Sequence, residues 1–235
     1  MATYVLIHGA GSDSWYWHLV VPALRERGHD VVAPDLPCDD DRAGLIEYAD
    51  SVIDAIGNRR NLILVAQSMA GFTAPIVCDR VPVDLLIMVA AMIPRPHESP
   101  GEWWDNTGYT EAKRESDERL GLSADGTFDV WNTFFHDVPP DVTAEAMARG
   151  GRGQSGTPFI KPWPLAGWPD VPTEFLLCRD DRFFPADFMR RVVRERLHTT
   201  PDEMDSGHLP ALAHPVELVE RLERYREARL GKSVG

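Results

Sequence analysis

Short apolar runs and amphipathic stretches alternate along the first ninety residues of the chain. Residues 3–8 form a β-rich run that Gly9-Ala10-Gly11-Ser12 interrupts. Trp17, Val20, Val21 and Leu24 then share one helical face over residues 15–27, with Gly28 as the stop. Residues 30–34 predict a second strand, and Leu45, Ala49, Val52 and Ile56 predict a helix over residues 42–56. Residues 62–66 are continuously apolar, as a strand covered on both faces should be. Gln67-Ser68-Met69-Ala70-Gly71 then turns the chain into a helix reaching residue 79, and residues 84–91 predict a fourth strand.

This alternation predicts an α/β fold with a mostly parallel sheet flanked by helices. The character changes between residues 94 and 172. Periodicity weakens, Pro and Gly punctuate the chain, and Trp103, Trp104, Trp131, Trp163 and Trp168 supply five of the seven tryptophans. That segment reads as an inserted cap, leaving residues 1–93 and 173–235 as the core. The core pattern resumes with a strand over 173–178, a helix over 186–196, a short strand over 202–204 and a terminal helix over 215–230. The last few residues are expected to fray.

Composition narrows the function classes. A chain of 235 residues suits one domain carrying an insertion, and 43% hydrophobic with 26% charged residues excludes a disordered chain. The net charge of −13, with no basic stripe, argues against nucleic acid and anionic membranes as partners. Cys38, Cys78 and Cys178 are odd in number and widely spaced, fitting neither a disulfide framework nor a zinc site. With no signal-peptide pattern and an early apolar run of only residues 4–7, the expected location is cytoplasmic. No metal or cofactor is expected, and a homo-oligomer is compatible with the sequence.

Candidate chemistry begins at Ser68. Ala66 lies two residues before it, Ala70 two after, and Gly71 follows, all at a strand-to-helix junction. Small neighbours are what a tight turn presenting a hydroxyl requires, although alanines replace both glycines of the strict nucleophile-elbow pattern. A helix N-cap serine would carry the same local sequence. A serine hydroxyl needs a base, and the base needs an acid to orient it. Asp180 and Asp181 stand in the turn after the 173–178 strand, and His208 stands in Asp205-Ser206-Gly207-His208-Leu209-Pro210. Serine, acid, histidine is the chain order of α/β-hydrolases. His18, His29, His97, His136 and His198 lack metal-ligand spacing, and His214, beside Pro215, suits a helix boundary better than a base. Gly9 and Gly11 lack both the lysine of a phosphate loop and the third glycine of a dinucleotide fingerprint, because Ser14 holds that position.

Together His8-Gly9-Ala10-Gly11, Trp15-Tyr16-Trp17, the Gly28–Leu36 run, the Ser68 turn, the Asp181 turn and Gly207-His208 resemble the α/β-hydrolase superfamily. The likeness is to its branch of plant methylesterases and hydroxynitrile lyases, and it spans residues 3–93 and 174–222. The resemblance implies a catalytic triad of Ser68, Asp181 and His208, with Asp181 favoured over Asp180 because the family acid stands four residues before a proline, here Pro185. It further implies an oxyanion hole from the amides of Ala10 and Met69, and a supporting role for His8. Lyases of the branch carry threonine where this chain has Gly9 and lysine where it has Leu209, so the resemblance favours ester cleavage. The implied activity is a cofactor-free serine carboxylesterase acting on a small hydrophobic ester through an acyl-enzyme. A non-hydrolytic binding protein, a lyase or a cofactor-free oxygenase on the same fold are the alternatives. Gln67, with Ser12, flanks the site, and Trp103, Trp104, Phe134, Phe135 and Trp163 are candidates to line an apolar substrate pocket or to build the core of the cap.

Overall fold

A computed structural model describes residues 1–122 and 129–230, so the expected fraying beyond residue 230 lies outside the described residues. Six strands, β1 (Thr3–Ile7), β2 (Asp30–Val32), β3 (Leu62–Gln67), β4 (Leu85–Val89), β5 (Thr173–Cys178) and β6 (Asp202–Met204), make one sheet. Their order is β2-β1-β3-β4-β5-β6, and every neighbouring pair is parallel. All residues of β1, β3 and β4 are buried, which follows from helices covering both faces of the sheet.

The twofold alternation of side chains divides the core into two layers. Val5, Ile7, Leu64, Leu86 and Met88 face α2 (Leu45–Ile56), α3 (Ala70–Arg80) and α9 (Ala186–Leu197). Tyr4, Leu6, Ile63, Val65 and Ile87 face α1 (Val20–Glu26) and α11 (Pro215–Leu230). The helix expected over residues 15–27 is divided into a 3-10 turn at Ser14–Trp17 followed by α1. Pro22 explains the break: within a continuous helix from residue 15 it would remove an interior hydrogen bond, whereas in the first turn of α1 its missing N–H costs nothing.

Strand order positions the site. From β1 the chain moves outward to β2 and then crosses back to β3 on the other side of β1. The loops leaving β1 and β3 therefore diverge at a switch point, where open parallel sheets bind ligands. The segment between β4 and β5 carries α4 (Pro100–Thr107), α5 (Tyr109–Leu120), α6 (Val130–Phe134), α7 (Pro140–Arg149) and α8 (Thr157–Ile160). Arg196 on α9 fastens its start through a buried ion pair with Glu98 at 2.5 Å. A short α10 (Pro210–Ala213) precedes α11, and the backbone carbonyl of His214 accepts the Leu218 N–H at the head of α11, a helix-boundary role.

Candidate active site

Ser68 occupies the step between β3 and α3 with a left-handed backbone, φ +54°. That conformation costs a non-glycine residue about 1–2 kcal/mol, so the surroundings must impose it. The Ser68 N–H donates to the Val89 carbonyl at 3.3 Å, and the Ser68 carbonyl accepts from the Gly71 and Met92 amides at 3.1 and 3.0 Å. The packing leaves no space for extra carbons. A Cβ on Gly71 would overlap the Met92 carbonyl oxygen, and one on Gly9 would lie 2.9 Å from Ser68 Cβ. The hydroxyl does not cap α3; its Oγ lies 3.1 Å from His208 Nε2.

The other imidazole nitrogen, Nδ1, is 2.7 Å from Asp181 Oδ2. Asp181 Oδ1 accepts the backbone N–H groups of Phe183 and Phe184 at 2.7 and 2.9 Å, so the acid is locked by the turn that carries it. A carboxylate only accepts, which puts the His208 proton on Nδ1 and leaves the Nε2 lone pair directed at the Ser68 hydroxyl. All three side chains are buried. Asp180 is exposed, and its backbone N–H donates to the Ser206 carbonyl.

Neighbours fix the imidazole from several sides. Phe134, Phe183 and Phe184 stand with ring centroids 5.4, 5.0 and 5.1 Å from it. Gln67 donates from Nε2 to the His208 carbonyl at 3.1 Å. His8 clamps the loop after β1: its Nδ1 donates to the Gly9 carbonyl at 2.8 Å, and its Nε2 accepts the Leu36 N–H at 3.1 Å. Burial pushes the His8 pKa below its ordinary value, in keeping with a neutral ring.

Ser68 and His208 open onto a cavity of about 400 Å³. Gly9, Ala10 and Ser12 form its floor beside Ser68, and Gln67 reaches it as well. Trp15, Tyr16, Phe134, Phe135 and Phe183 supply aromatic walls, and Leu209 and Leu212 an aliphatic one. Asp13, Arg149 and Arg152 also line it, but each cation has an acidic partner, Arg149 with Asp13 at 3.4 Å and Arg152 with Asp39 at 3.0 Å.

Of the two places open to the three tryptophans, pocket or core, the structure has them outside the pocket. Trp103 and Trp163 are fully buried in the core, their indole N–H groups donating at 3.0 Å to the carbonyls of Ile93 and Phe72. Trp104 packs edge-on against Trp103 and Tyr109. None of the three is among the described residues that line the cavity. Indoles that bury their whole surface and satisfy their one donor on distant backbone are core-building groups. Sequence reasoning missed Tyr16, Phe183 and Leu209 as wall residues, although all three sit in motifs it had singled out, the last two beside Asp181 and His208.

Comparison with known proteins identifies the family. Residues 4–221 match the family described as the alpha/beta hydrolase family. The chain belongs to that family. Among its relatives, "Probable esterase PIR7A" of Oryza sativa subsp. indica is 33% identical, with 94% of this chain and 95% of that protein covered. Methylesterase 1 of Arabidopsis thaliana is 23% identical, with 92% of each covered. Among solved structures, this alpha/beta hydrolase resembles the fold of a pyrethroid hydrolase from Sphingobium faniae JZ-2, with a TM-score of 0.76, 22% identity, and 98% of this chain and 99% of that one covered. Among the described residues, no helix is long and apolar enough to cross a membrane, and no group of three or more His, Cys, Asp or Glu is arranged to hold a metal ion.

Proposed function

We propose that the protein is a carboxylesterase of the methylesterase kind, cleaving a small, largely apolar ester through an acyl-enzyme on Ser68. The observation that carries this reading is the buried hydrogen-bonded series from Ser68 through His208 to Asp181 at the floor of an aromatic cavity. In the first half-reaction His208 Nε2 takes the Ser68 proton as Oγ attacks the ester carbonyl. The resulting imidazolium gives that proton to the departing alkoxide, releasing the alcohol and leaving the acyl group on Oγ. In the second half, Nε2 takes a proton from water, hydroxide adds to the acyl carbonyl, and Ser68 leaves with the proton returned to it.

Negative charge on the carbonyl oxygen needs donors that are already in place. Met69 stands at the head of α3, where the first amides have no intrahelical acceptor, and Ala10 lines the cavity beside Ser68. Their two N–H groups are the oxyanion donors in this reading. Asp181 orients His208, and the inserted helices act as the cap that selects substrate, with Phe134, Phe135 and Phe183 against its apolar part. A cavity of about 400 Å³ takes a molecule of metabolite size. The methylesterase relatives support the ester class, and three free cysteines suit a reducing cytoplasm.

The test compares native protein with Ser68→Ala on p-nitrophenyl and methyl esters, with mass spectrometry after exposure to an aryl phosphonate. The expected result is an adduct on Ser68 and a loss of at least about 1,000-fold in turnover in the variant. Undiminished hydrolysis by folded Ser68→Ala would remove Ser68 from the mechanism.

A further inference from the structure

The inserted segment contributes a charged side chain to the loop that carries His208. Asp137 lies three residues past the end of α6, and its Oδ2 accepts the Gly207 N–H at 2.5 Å. The Ser206 hydroxyl donates to the same oxygen at 3.5 Å, and His214 Nε2 stands 3.7 Å from it. Its other oxygen, Oδ1, is buried without a hydrogen-bond partner among the described residues. The fit is close enough to dictate the neighbouring residue: a Cβ on Gly207 would lie 2.5 Å from Asp137 Oδ1 and 2.7 Å from His136 Cε1.

A carboxylate oxygen buried without a partner is costly, so the fold holds Asp137 there at the expense of stability. What the carboxylate does accomplish is specific. Gln67, on the sheet, holds the carbonyl of His208, and Asp137, on the inserted segment, holds the N–H of the residue before it. The backbone on both sides of the imidazole is thereby fixed, and the Nε2–Oγ distance with it. Phe134 and Phe135, immediately upstream of His136 and Asp137, wall the cavity.

We propose that Asp137 is a positioning residue, whose hydrogen bond to Gly207 keeps His208 aimed at Ser68 and ties the wall of the substrate cavity to the base. This rests on the serine-esterase reading. The prediction is a defect in kcat rather than in KM, because a displaced base still leaves the cavity to bind substrate.

The test uses the full chain with Asp137→Ala and Asp137→Asn. Asp137→Ala should lower kcat for a p-nitrophenyl ester on the order of 10- to 100-fold, with KM within about threefold of native. The rate at which an aryl phosphonate labels Ser68 should fall in parallel. Asn keeps an oxygen able to accept the Gly207 N–H, so Asp137→Asn should recover most of the lost kcat. An unaltered kcat in Asp137→Ala, a change confined to KM, or an Asn variant no better than the Ala variant overturns the proposal. Should Asp137→Ala not fold, Asp137→Glu, which shifts the carboxylate by one methylene, must show the kcat loss, and native turnover there counts against it equally. Active Ser68→Ala protein removes the underlying reading, whereas inactive Ser68→Ala beside fully active Asp137→Ala removes only the positioning role.

Discussion

Replacing Asp181 by asparagine changes one atom type and tests how His208 is oriented. Two backbone N–H groups, those of Phe183 and Phe184, point at Oδ1. An asparagine must keep its oxygen there, because the reversed amide would face two donors with a third. Its NH2 group is then directed at His208 Nδ1, now 2.7 Å from the acid, and Nδ1 has to become the acceptor. The single proton of the neutral ring moves to Nε2, where it points at Ser68 Oγ and leaves no lone pair to remove the hydroxyl proton. The expected loss in kcat is about 10,000-fold, equivalent to about 5.5 kcal/mol in the barrier. Both backbone bonds survive, so unfolding stability should change by no more than about 1 kcal/mol. Asp180→Asn, at an exposed position, should stay within about twofold of native activity. The assay is kcat/KM on a p-nitrophenyl ester beside thermal unfolding of each variant. If Asp181→Asn retains more than a tenth of native activity, or Asp180→Asn loses as much, the orientation argument is wrong.

Three further outcomes are expected. Mandelonitrile should release negligible cyanide while aryl and methyl esters are cleaved, because Leu209 beside His208 supplies no charge to stabilise cyanide, and Gly9 leaves no space for a larger residue against Ser68; cyanide release outpacing ester turnover would reverse that assignment. His8 titrates lower folded than unfolded, so its contribution to stability is complete above the unfolded value of about 6.5 and is lost as pH falls through the folded one. Unfolding free energy measured from pH 7.5 downward should therefore decline more steeply in native protein than in His8→Gln, and parallel curves contradict this. Ser68→Gly should be more stable than Ser68→Ala by about 1 kcal/mol, with both inactive, since only glycine relieves the left-handed backbone; equal denaturation midpoints would show the turn to be unstrained.

Strands and their order of appearance were legible because burial on both faces forces continuous apolar runs. Residues 173–178, 202–204 and 215–230 match β5, β6 and α11 end to end. The meeting of Ser68, His208 and Asp181 was legible through motif context, each sitting at a strand end or a loop beside it. The helix over residues 15–27 was misread because its apolar period is genuine, and only the place of Pro22 in the turn pattern marks the break. Trp103 and Trp163 were left open between pocket and core for a different reason. Whether an indole faces a pocket or the core depends on acceptors such as the carbonyls of Ile93 and Phe72, the latter 91 residues from Trp163. Asp137 left no local sign at all, since its partner Gly207 is 70 residues away.

The left-handed backbone at Ser68 has a meaning beyond geometry. Conformational preference alone would place glycine there, and the hydrogen bonds from Gly71 and Met92 would hold a glycine as readily as a serine. A residue that folding disfavours at its own position marks where selection has weighed something other than folding. Sequence optimisation guided only by stability would drift towards glycine at this step and, on the serine-esterase reading, produce a sturdier but inert protein. In the proposed mechanism Ser68 is thus the position where foldability and chemistry ask for different amino acids, and the chain carries the one that chemistry needs.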